Sequence, residues 1–106
     1  DTVIVNKKGI STRVNGIGLI AWKYIEGFEI KKGINATFLV IKVSDTEELL
    51  SSVNRVSRIL MKSNIKRLGS PVAIPQSEFH EPLQLVKEVI EAYKSSLYQS
   101  LNSMNT

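Results

Sequence analysis

Residues 36–53, ATFLVIKVSDTEELLSSV, contain the change of period on which the fold turns. ATFLVIKV is almost continuously apolar and rich in β-branched and aromatic side chains, as a largely buried strand requires. At Ser44 the pattern breaks. Ser44-Asp45-Thr46-Glu47 has the form of a capping box, the Ser44 hydroxyl accepting from the Glu47 amide while the Glu47 carboxylate reaches back. Asp45, Glu47 and Glu48 suit the positive end of a helix dipole. Leu49, Val53, Val56 and Leu60 then follow at steps of 4, 3 and 4, one apolar stripe. The spacing predicts a helix over residues 45–62, with a break near Ser51-Ser52.

Working outward, the N-terminal side is strand-like. Val3 and Val5 alternate with their neighbours, Asn6-Lys7-Lys8-Gly9 forms a turn, and residues 10–14 make a second strand with Ile10, Thr12 and Val14 on one face. Asn15-Gly16 is the pair a two-residue type I′ hairpin demands, with positive φ at both positions, and residues 18–22 return as the next strand. Phe28 and Ile30, separated by Glu29, predict a strand with one wet face, and Gly33-Ile34-Asn35 turns the chain into residues 36–43.

On the C-terminal side, Gly69 and Pro71 interrupt the helix, and Val72-Ala73-Ile74 is a short strand closed by Pro75. Pro82 sits at a first helical turn. Val86, Val89, Ile90, Tyr93 and Leu97 predict an amphipathic helix over residues 81–97, and the polar residues 99–106 are expected to fray. With no repeat or linker, residues 1–106 form one domain. Its class is α+β: an antiparallel barrel or half-barrel of short strands, a helical insertion, and a C-terminal helix capping the open end.

Gly9-Ile10, followed by the run Ile17-Gly18-Leu19-Ile20-Ala21-Trp22-Lys23-Tyr24-Ile25-Glu26-Gly27-Phe28-Glu29-Ile30, resembles the bacterial pleckstrin-homology-like (PH-like) domains. Those domains carry a Gly-Ile pair opening a strand, then apolar-Pro-Trp, two residues, and an Ile leading into the next strand. More specifically, the chain resembles a family of small bacterial membrane proteins with two transmembrane helices followed by a cytoplasmic PH-like domain. The likeness continues through residues 38–43 (FLVIKV), 60–65 (LMKSNI) and 69–74 (GSPVAI), and so covers most of the chain. Ala21 stands where the usual residue is Pro, which leaves the bend before Trp22 less fixed. The resemblance implies a PH-like fold at the cytoplasmic face of a bacterial inner membrane, and no activity. A start at Asp1-Thr2-Val3, directly in strand-like residues, fits a soluble fragment of such a protein.

Composition narrows the function classes. The chain has no cysteine and one histidine, so thiol catalysis, a disulfide scaffold and a zinc ribbon are excluded. His80 stands beside Glu81 at a helix start, where polar residues are expected in any case, and lacks the partners of a hydrolytic triad. Gly16-Ile17-Gly18 precedes a strand and not a helix, so it offers no phosphate cradle. No apolar run reaches the roughly 18 residues of a membrane span. Neither enzyme chemistry nor a cofactor or metal is expected.

What remains is charge. Fourteen Lys/Arg against ten Asp/Glu give a net +4. Between Leu49 and Pro75 lie five basic residues (Arg55, Arg58, Lys62, Lys66, Arg67) and no acidic one. Arg55, Arg58, Lys62 and Lys66 are spaced 3, 4 and 4 apart, on one face of a continuous helix beside the apolar stripe. Such a helix can lie on anionic headgroups, which makes these four residues the expected contacts of a binding or scaffolding domain. In the simpler arrangement the stripe packs on the sheet and the charges stay in water. Nucleic acid is the less favoured partner, because the basic stretch contains no aromatic residue for base stacking. A protein-interaction module is the alternative, with residues 36–43 as an exposed sheet edge able to pair with a second copy or a client strand.

Overall fold

The computed structural model describes the backbone of residues 3–104 and the side chains of these residues except 15 and 100–104. Two antiparallel three-stranded sheets share one core. The first comprises β1 (Val3–Asn6), β2 (Gly9–Thr12) and β3 (Gly18–Ala21) in that order. The second comprises β4 (Ile25–Lys32), β5 (Thr37–Val43) and β6 (Val72–Pro75), with β5 in the centre. No ladder joins the two sheets among the described residues, so the strands form a half-barrel and not a closed barrel. Ile10 and Ile20 of the first sheet meet Leu39, Ile41, Val72 and Ile74 of the second.

The β2–β3 hairpin forms as expected, but its connection is not a two-residue turn. Residues 13–17 intervene, with Val14–Gly16 as a single 3₁₀ turn. Thr12 pairs with Gly18 and its hydroxyl accepts from the Val14 amide at 3.1 Å, which starts the turn early and shifts the register. Ala21 adopts φ −66° and ψ 147°, values a proline would also take. The bend that follows, the 3₁₀ turn Trp22–Tyr24, is anchored instead by Trp22. Its Nε1–H donates to the Asn6 carbonyl at 2.8 Å and its ring stacks on Tyr93 at 5.9 Å.

The C-terminal helix α3 (Leu83–Met104) covers the half-barrel with Leu83, Val86 and Ile90. Gln76 holds its first turn from both sides, donating to the Glu81 carbonyl at 2.7 Å and accepting from the Leu83 amide at 3.0 Å. Lys94 donates to the Ile25 carbonyl at 2.7 Å, tying the helix to β4. Two expectations are corrected here. The backbone remains helical to Met104, beyond residue 97, and Val89 is 59% exposed because the packed face runs through Leu83, Val86 and Ile90.

The other corrections concern the insertion. The helix expected over 45–62 is two helices, α1 (Thr46–Ser51) and α2 (Arg55–Leu68). Asp45, not Ser44, caps α1, accepting from the Glu48 amide at 3.0 Å. The Ser44 amide is drawn to the Tyr24 carbonyl at 2.8 Å, and the Glu48 carboxylate accepts from the Tyr24 hydroxyl at 2.8 Å. These bonds to the bend leave no capping box. Finally, residues 36–43 are not an exposed edge: β5 is paired on both sides, with β4 and with β6. Strand addition there is closed off, since neither side of the strand has a free ladder.

Candidate functional site

The geometry of α2 follows from how the chain enters it. Ser51 and Ser52 both turn their hydroxyls back onto α1, donating to the Glu48 and Leu49 carbonyls at 2.8 Å each. Serines that bond the preceding turn in this way favour a helix end over continuation. Asn54 then caps a new helix, its Oδ1 accepting from the Ser57 amide at 2.8 Å. At the far end Gly69 takes φ 83°, the left-handed conformation of a helix stop, and Lys31 of β4 donates to the Leu68 carbonyl at 2.8 Å.

The three residues between the helices reset the rotational phase. Leu50 and Val53 are buried, but in α2 the buried positions are Ser57, Met61, Asn64 and Leu68. Met61 enters the main core and Leu68 packs with Val40 and Ala73 on the outer face of the second sheet. Asn64 satisfies its amide on the Pro71 carbonyl at 3.3 Å and accepts from Arg67 at 3.4 Å. Val56 and Leu60, expected to pack inward, are 68% and 43% exposed, and Ile59 beside them is 62% exposed.

Of the four expected contact residues, Arg55, Lys62 and Lys66 are exposed and fall within about 40° of arc on α2. Arg58 does not join them. Its guanidinium is half-buried and donates to the Leu50 carbonyl at 3.1 Å and the Val53 carbonyl at 3.4 Å, bracing the junction between the helices. Arg58→Ala is therefore expected to lower stability by about 1–3 kcal/mol, the cost of leaving those carbonyls short of a donor. An unchanged urea midpoint would return Arg58 to the free surface cations.

The outward face of α2 thus presents Ile59 and Val56 between Arg55, Lys62 and Lys66 on one side and Arg67 on the other, with Leu60 just beyond Arg67. Sequence spacing located the cations and missed the direction of the apolar residues. The signal lay in Ser51-Ser52 followed by Asn54, a stop and a new cap, after which the stripe from Leu49 and Val53 cannot be extended in phase. Among the described residues no group of three or more His, Asp and Glu could hold a metal ion, and no helix is long and apolar enough to cross a membrane.

Fold and face together define a small α+β domain with a basic helix surface studded with exposed aliphatic side chains. Compared with family models, curated proteins and solved structures, the chain matches none of them.

Proposed function

We propose that this chain is a non-catalytic docking or scaffolding domain that rests on an anionic membrane surface through the outward face of α2. The supporting observation is the exposure of Val56, Ile59 and Leu60 among Arg55, Lys62, Lys66 and Arg67, on a helix capped at both ends. Aliphatic side chains held in water gain when a bilayer boundary covers them, and a helix with a basic polar face lies in that boundary. Each Lys or Arg near an anionic surface adds about 1 kcal/mol. Membrane is favoured over nucleic acid because residues 55–68 include no aromatic side chain for stacking. The resemblance to PH-like domains of bacterial membrane proteins would make that surface the cytoplasmic face of the inner membrane.

The test is co-sedimentation with phosphatidylcholine vesicles, with and without phosphatidylglycerol. Binding is expected only with the anionic lipid and should weaken as salt is raised. The combined variant Arg55→Gln, Lys62→Gln and Lys66→Gln should lose about 3 kcal/mol, roughly 100-fold in partitioning, with its urea midpoint unchanged. Equal binding to neutral vesicles, or to neither kind, defeats the proposal. So does a salt-sensitive mobility shift of single-stranded RNA in the absence of vesicle binding.

A further inference from the structure

The hairpin joining β4 to β5 places an isoleucine at its tip. Turn apices favour Gly, Asn, Asp, Ser and Pro, yet Ile34 stands there 97% exposed. The tip is well braced. The Gly33 amide donates to the Ala36 carbonyl at 2.7 Å, and a Cβ at Gly33 would press on the Phe38 ring at 2.9 Å, so the ring lies close under the turn. Phe38 packs in turn against the cluster of Val40, Leu68 and Ala73. The Lys31 bond to the Leu68 carbonyl joins the hairpin to the end of α2.

Between tip and helix runs a groove of about 620 Å³ whose lining includes Lys32, Ile34, Phe38, Arg67 and Leu68, and no carboxylate. Lys32 and Arg67 are both exposed and lie on its two sides, one on the hairpin and one on α2. An exposed aliphatic side chain on a groove lined by two cations is complementary to a phospholipid, which presents a phosphate above an acyl region.

We infer that the hairpin tip is a second membrane contact, in which Ile34 enters the headgroup–acyl boundary of an anionic bilayer while Lys32 and Arg67 hold a lipid phosphate in the groove. This rests on the proposed docking of α2 and extends it: Arg67 is an exposed residue of α2 and also lines the groove, so the two contacts share one cation and the domain attaches at two points. The wedge adds apolar depth to an attachment otherwise dominated by charge.

The absence of cysteine allows a single reporter. Ile34→Cys carrying an environment-sensitive nitrobenzoxadiazole fluorophore should brighten and shift to the blue on phosphatidylcholine–phosphatidylglycerol vesicles. The same label on Ser96→Cys, an exposed position of α3, should not. Ile34→Ser should weaken vesicle binding about 20-fold, the loss of one buried aliphatic side chain, without changing the urea midpoint. If the chain sediments with the anionic vesicles while the label at position 34 keeps its aqueous emission, the wedge is overturned and docking through α2 stands. If the chain sediments with no vesicle, both are overturned.

Discussion

Replacing Gly9 by alanine is expected to remove about 4 kcal/mol of stability, from backbone strain and broken strand pairing together. Gly9 opens β2 with φ +150° and pairs with Ala21 across the hairpin. A Cβ there would fall on the Ile20 carbonyl and crowd Ala21 Cα, which are backbone atoms of the paired strand and cannot swing aside. Relief requires β2 and β3 to separate, and Ile10 and Ile20 leave the core with them. Against a total of about 5–15 kcal/mol for a domain of this size, the loss leaves a large unfolded fraction. Two other glycines calibrate the effect. Gly18 has φ +80° with open space at its Cβ position, so Gly18→Ala should cost only the backbone term, about 1–2 kcal/mol. Gly27 has neither a positive φ nor a close neighbour, and Gly27→Ala should be neutral or slightly stabilising. Urea denaturation ranks the three; a Gly9→Ala protein as stable as the parent would mean the β2–β3 register is wrong.

The second large effect concerns the phase of α2. Met61 is fully buried, so Met61→Ala should cost about 3–5 kcal/mol, near the upper end for removing a long apolar side chain from a core. Val56→Ala should change stability by less than about 0.5 kcal/mol, because Val56 lies mostly in water. A stripe running through Leu49, Val53, Val56 and Leu60 would predict the opposite order. Comparing the two urea midpoints therefore decides which face of the helix meets the sheet. A costly Val56→Ala beside a mild Met61→Ala would turn the basic face inward and remove the proposed membrane contact with it.

Much of the architecture was legible from local pattern. The turn at Asn6-Lys7-Lys8-Gly9, the dense strand ending at Val43, the short strand Val72-Ala73-Ile74 and the amphipathic segment after Pro82 each carry their own period and punctuation, and each occurs as an element. Phe28, placed on a strand with one wet face, is buried, and so is Trp22. The cations of α2 were visible too, because a run without acidic residues is a property of composition. Less was visible at the cap of α1. Ser44 and Glu47 satisfy the local form of a capping box, but the Tyr24 carbonyl, 20 residues away in sequence, binds the Ser44 amide and leaves Asp45 to cap.

Which segments alternate, which coil and where they turn are matters of near neighbours along the chain, and the residues by themselves determined an α+β order with a capping C-terminal helix. Tertiary packing alone decided that β5 is a central strand, that Arg58 braces a junction, and that Val56, Ile59, Leu60 and Ile34 face water. The physical reason is that a helix has no inward face until something lies beside it. Three residues between α1 and α2 rotate every later side chain, and only the position of β6 against Met61 and Leu68 shows which way they come to rest.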